Sequence, residues 1–131
     1  MEVTVFAQTE VYPTENEENV KAAVNNVLDN AAITIKPSLK GSTLTATAKG
    51  QDSLIKLRNM FHNDRIRDAA RRLLFKSIRG NMISFCLNKQ VAFAGHVSFS
   101  EETGESPLGP IKISIEAEFP QQLVEWLAEK T

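Results

Sequence analysis

Between Ser42 and Ala48 the sequence alternates without a break: Leu44, Ala46 and Ala48 fall on one face of an extended chain, Thr43, Thr45 and Thr47 on the other. Successive strand side chains point to opposite faces, so this segment has one dry face and one wet face. A chain built around it needs a mostly antiparallel sheet covered by helices on one side. Other segments repeat the pattern. Val3, Val5 and Ala7 mark a first strand, Ile33 and Ile35 a second ended by Pro37 and a turn at Lys40-Gly41, and Ile111, Ile113 and Ile115 a last one. Met82–Leu87 and Val91–Phe99 read as a hairpin joined at Asn88-Lys89-Gln90. A three-residue loop there keeps Ile83, Phe85, Leu87, Val91 and Phe93 on one face and pairs Phe85 with Phe93.

Helical periodicity fills the gaps. Thr14 and Glu17 have capping-box spacing ahead of Val20, Ala23, Val24, Val27 and Leu28. Asp52 is placed to cap a helix carrying Leu54, Leu57 and Phe61, and Asn63-Asp64 to break it and cap a longer helix running to Arg79, with Gly80 as a left-handed stop. Pro120 suits the first turn of a last helix with Leu123, Val124 and Leu127 inside. The expected order is β-α-β-β-α-α-β-β-β-α, a split β-α-β core with an extra hairpin, and one α+β domain over residues 1–131. At 42% hydrophobic and 24% charged, the chain can bury a core without a metal or disulfide staple. The single cysteine, Cys86, reads as a small buried hydrophobe of a reducing, cytoplasmic compartment, and MEVTVFAQTE has no signal-peptide pattern.

The net charge of −1 conceals a segregation: residues 1–30 carry −5, residues 31–99 carry +9, and residues 100–131 carry −5. Eight of the twelve central bases lie between Lys56 and Arg79. A basic centre of this kind meets nucleic acid, meets the acidic ends of a second copy, or is neutralised within one copy. On a helical projection Arg65, Arg72, Lys76 and Arg79 fall on one ridge about 60° wide, with Arg67 and Arg71 at the other edge of the buried arc and Phe75 centred on the polar face. Asp68 has the spacing to pair with Arg71 or Arg72. The bland account is a solvated helix whose long stems cover the core edge. The functional account is a ridge that follows phosphates beside a ring able to stack on a base. Phe75 is expected either beneath the preceding helix, near Leu57 or Phe61, or at a contact surface.

Catalytic signatures are missing from the sequence. The two histidines, His62 and His96, belong to no HExxH motif, the lone cysteine to no CxxC pair, and there is no phosphate-cradling GxxxxGK[ST] loop. Glu101, Glu102 and Glu105 read as solvated loop carboxylates. The expectation is therefore a protein that is not an enzyme and carries no metal or cofactor.

Three pieces, RIRDAARR, LNKQVAF and PLGPI, lie within the run from Asn63 to Ile115, and VYPTENEENVKAAVNNVL precedes them. Together they resemble an archaeal family, uncharacterised protein family 0201, described as predicted RNA-binding, over nearly the whole chain. The resemblance implies a fold like that of the ribosomal protein that binds 5S ribosomal RNA, and a nucleotide-kinase-like protein as a possible partner. The expected function is binding of structured or ribosomal RNA through the basic helix, by Arg65, Arg67, Arg72, Lys76 and Arg79, with Lys89 at the hairpin tip. The alternative is a non-catalytic protein–protein module, a homodimer or an adaptor for a nucleotide-kinase-like enzyme, that docks acidic ends on the same helix.

Overall fold

The computed structural model describes residues 1–39, 41–101 and 108–130. The elements follow the order β1 (Val3–Val11), α1 (Glu17–Val27), β2 (Ala32–Ser38), β3 (Gly41–Lys49), a 3-10 turn (Gln51–Leu54), α2 (Ile55–Asn63), α3 (Arg67–Ser77), β4 (Met82–Asn88), α4 (Lys89–Phe93), β5 (Phe99–Ser100), β6 (Pro110–Ala117) and α5 (Pro120–Leu127). They form an α+β domain. Its six strands lie in the order β2-β3-β1-β6-β4-β5, and every neighbouring pair is antiparallel. Strands β1 and β2 therefore run the same way with β3 between them, which is the split β-α-β unit.

The alternation reads directly onto the sheet. Val5, Ala7, Leu44, Ala46, Ile83, Leu87, Ile113 and Ile115 are buried under the helices. Registered pairs such as Phe6↔Thr47 and Phe6↔Ser114 occupy the opposite, open face, where Phe6 is exposed. Cys86 also lies on that face, level with Lys112 and Ser100, and is half-buried. The expected core cysteine is thus corrected by the pleat: Phe85 and Leu87 point in, so Cys86 cannot. Helix α1 contributes Val20, Ala23, Val24 and Val27 to the core, α2 Leu57, Met60 and Phe61, α3 Ala70 and Leu74, and α5 Leu123, Val124 and Leu127. Pro37 sits within β2 and does not end it; β2 is an edge strand, where a missing amide costs no ladder bond. The turn residue Lys40 and the acidic residues Glu102 and Glu105 lie outside the described residues.

The expected hairpin at 88–90 does not form. Asn88 leaves β4 and accepts from the Val91 amide at 3.0 Å, capping a single helical turn, α4. The three-residue loop needs a left-handed residue at Gln90, a conformation that glycine favours, whereas asparagine at 88 is a strong cap. Asn26 of α1 holds the far end of α4 by donating to the carbonyls of Ala92 and Phe93 at 2.9 and 3.3 Å. Phe93 ends exposed, and the partner of Phe85 is Phe99, edge-on at 5.8 Å, which also stacks on Phe61 of α2 at 5.6 Å.

The caps also differ from expectation. Asn16, not Thr14, caps α1, accepting from the amides of Glu18 and Asn19. Asp52 lies inside the 3-10 turn, and the amide of Lys56 in the first turn of α2 donates instead to Asp29, from the end of α1. Asp64 caps no helix start. Its carboxylate accepts from the Val97 amide at 2.8 Å and pairs with His96 Nδ1 at 3.0 Å. Burial pushes the Asp64 carboxyl up, but the hydrogen bonds from His96 and the Val97 amide, with the charge of the His96 ring, outweigh it and hold the pKa below its ordinary 3.8.

Candidate nucleic-acid interface

With Asp64 turned away, α3 starts later than its periodicity implies, and it also ends earlier, where Ile78 turns extended. Arg65 stands before the helix with a left-handed φ of 57°, and Arg79 stands after it, bridged backbone to backbone with Met82. Only Arg67, Arg71, Arg72 and Lys76 of the basic set are helical. The four-residue ridge of one continuous helix is thereby corrected to two helical cations, Arg72 and Lys76, flanked by Arg65 and Arg79 on the adjoining turns. These four are exposed and Arg67 is half-buried. Arg79 donates from Nη1 to the carbonyls of Lys76 and Ile78, closing the C-terminus of α3. Cations suit that end of a helix.

Arg71 is neutralised, but by another element than Asp68. Its Nη1 donates to Glu125 of α5 at 2.8 Å, and its guanidinium lies 5.0 Å from the centre of the Phe75 ring. The hydrogen bond from Arg71 holds the Glu125 carboxyl below its usual range against a smaller opposing effect of burial. Phe75 is half-buried at the core edge under Arg71, so the guanidinium already covers one face of the ring expected to stack on a base.

Lys89 is the clear correction among the expected contacts. It occupies the first turn of α4, not a hairpin tip, and is 3% exposed. Its ammonium donates to the carbonyls of Glu10 and Leu108, both at 2.7 Å, and to both carboxylate oxygens of Glu15 at 3.0 and 3.2 Å. Three donors are fully committed inside the fold and cannot reach a phosphate outside it. The only sequence sign of this was Glu15 beside the Thr14 cap signal, a carboxylate with no helical role to play.

The junction of α2 and α3 is concave, which linear spacing did not show. His62, Arg65, Arg67 and Asp68 line a cavity of about 340 Å³. A second, of about 210 Å³, is lined by Arg58, Asn59, His62, Arg67, Leu127 and Glu129. Arg58 is held there: it donates to the Trp126 carbonyl at 3.0 Å, pairs with Glu129 and lies over the Trp126 ring. Among the described residues no cluster of three or more metal-ligating side chains occurs, and no helix is long and apolar enough to cross a membrane.

An antiparallel sheet, open on one side and backed by helices that present a basic edge, defines the class, an α+β domain. A family model described as RNA binding matches residues 4–117. The chain belongs to this family, whose curated relatives are UPF0201 proteins. It is 41% identical to the UPF0201 protein of Sulfurisphaera tokodaii over 127 residues, covering 97% of this chain and 88% of the relative. It is 42% identical to the UPF0201 protein of Pyrobaculum islandicum over 128 residues, covering 97% and 90%. The crystal structure of the UPF0201 protein from Methanococcus jannaschii superposes with a TM-score of 0.83 at 30% identity, over 98% of this chain and 99% of that one.

Proposed function

We propose that this chain binds RNA, structured or ribosomal, without chemically altering it, and that the edge formed by Arg72, Lys76 and Arg79 follows the phosphate backbone. The observation that carries the proposal is a run of exposed cations without acidic partners. Among the described residues, neither Arg72 nor Lys76 takes part in an ion pair, whereas Arg58, Arg71 and Lys89 all do. An exposed one-signed helix edge repels itself unless a polyanion meets it. The four-residue step from Arg72 to Lys76 rises about 6 Å along the axis, close to one phosphate spacing. The RNA-binding description of the family and its archaeal relatives supports the same ligand.

The test is the double variant Arg72→Glu/Lys76→Glu, with RNA affinity measured across a salt series. Two lost phosphate contacts should flatten the slope of log K against log salt by about 1.4 units. The loss should be nearly equal for unrelated sequences, since backbone contacts position without specifying. Wild-type protein with no more affinity for RNA than a neutral control protein at low salt sinks the proposal. Loss of a protein partner or of a dimer in the same variant, with RNA affinity intact, assigns the edge to a protein surface instead.

A further inference from the structure

We infer that the cleft between α2 and α3, walled by His62, Arg65, Arg67 and Asp68, is a pocket for a phosphomonoester, the terminal phosphate of an RNA strand. This rests on the RNA-binding proposal and adds to it a point of the strand that the helix edge does not distinguish.

The first observation is the state of the side chains. Among the described residues, the guanidinium groups of Arg65 and Arg67 and the ring of His62 have no side-chain hydrogen bond or ion pair, although all three line the same cavity. Arg67 is also half-buried. A partly desolvated cation is normally matched by a carboxylate. Of the neighbouring acids, Glu129 is paired with Arg58, and Asp68 lines the same cavity as the two arginines, so the hollow keeps an excess of positive charge. The two cavities share His62 and Arg67, so these side chains stand on a partition between two hollows and are reached from both.

The second observation is shape. Arg72 and Lys76 make an open, linear edge, which suits a chain of phosphodiesters, each with one charge and two free oxygens. The cleft is a concavity of about 340 Å³, within the range of small-ligand sites and too small for a duplex. Two guanidinium groups against one carboxylate, Asp68, leave the hollow net positive, and donors from three residues suit a group with three terminal oxygens. A monoester offers three terminal oxygens to these donors and a diester only two. The adjoining hollow, with the Asn59 amide and the Leu127 side chain in its wall, takes the attached sugar or base. The left-handed φ of 57° at Arg65 serves the same end by turning the chain sharply between α2 and α3, so that residues 62, 65 and 67 border one space.

The experiment measures anisotropy of one short 3′-labelled RNA carrying a 5′-phosphate or a 5′-hydroxyl. A 5′-labelled set with a 3′-phosphate or 3′-hydroxyl tells which end is taken. A nucleoside monophosphate is titrated against its nucleoside, read by emission of Trp126, the chain's one tryptophan, beside the second hollow. The wild type should bind one phosphorylated end about tenfold more tightly than its hydroxyl counterpart. Arg67→Gln and Arg65→Gln, made singly so that misfolding of one leaves the other informative, should each abolish most of that ratio. Arg72→Glu/Lys76→Glu should weaken both RNAs and keep the ratio. RNAs that bind equally with and without terminal phosphates overturn the pocket and leave RNA binding standing. A monophosphate that binds while no RNA does, with the Arg67→Gln variant losing it, sustains the pocket and removes the RNA edge.

Discussion

Lys89 and Glu15 form an ion pair whose side chains are 4% and 10% exposed, and the same ammonium satisfies two backbone carbonyls. The pair joins the end of β1, the approach to α1, the first turn of α4 and the start of β6's approach at Leu108. Replacing Lys89 with Met should cost about 3–5 kcal/mol in denaturant unfolding, because it strands a desolvated carboxylate. Adding Glu15→Leu should restore part of that loss, but not all, since the carbonyls of Glu10 and Leu108 lose the ammonium and the Tyr12 amide loses the carboxylate it donates to. RNA affinity of the folded Lys89→Met protein should keep the wild-type salt slope. A slope reduced by about 0.7 units would return Lys89 to the interface. The contrast with Arg72 is instructive: both are cations in a basic segment, and only packing separates the structural one from the exposed one.

At the scale of elements, Asp64 is the joint between the α2–α3 turn and the segment leading from α4 into β5. Its folded pKa lies below the ordinary 3.8, so the stability it confers is complete above that value and is lost as the pH falls through the folded one. Asp64→Ala should cost about 1.5–3 kcal/mol near neutrality, the worth of a hydrogen bond to a charged acceptor. That difference from wild type should shrink towards zero in acid unfolding experiments below the folded pKa. A difference that stays constant into strong acid means that the carboxylate charge contributes nothing. Asp64 also marks the limit of what the sequence made legible. Strands came through where one face is wet: the Leu44/Thr45 alternation placed β3 and its facing correctly, and Val20–Leu28 placed α1. What failed were choices made by distant partners. Asp64 is by local rules a cap, and Val97, thirty-three residues on, claims it. Asn88 and Gln90 read as a hairpin until Asn26 of α1 stabilises the helical turn. Arg65 and Arg67 show positive charge in the sequence, but the hollow between them exists only once α2 and α3 cross.

Across the whole molecule, the charge segregation becomes spatial, although not as full separation. Glu125 of α5 and Glu129 just after it reach the basic region by pairing with Arg71 and Arg58, quenching one side, and the edge with Arg72 and Lys76 stays bare. The sheet is held together by its last strand. β6 lies between β1 and β4, with Val3 opposite Ala117 and Leu87 opposite Ile111. A chain ending at residue 109 should therefore yield two incomplete pieces, β2-β3-β1 and β4-β5, each with a bare inner edge. Such a chain should aggregate on refolding, as open hydrophobic edges do. A peptide spanning residues 108–131, added in excess, should recover soluble protein with native circular dichroism; a soluble, cooperatively melting 1–109 chain would show that β6 is dispensable.

The position of β6 also sets an order of events in the cell. Synthesis runs from β1 towards β6, so the basic helix and the strands of both halves of the sheet are made before the strand that unites them. The sheet cannot close strand by strand as it is made; it closes in one late act, when the backbone of β6 is free to pair with two waiting strands and turns Ile111, Ile113 and Ile115 into the core. For that interval the nascent protein presents cations without a finished fold, next to the most abundant RNA in its surroundings.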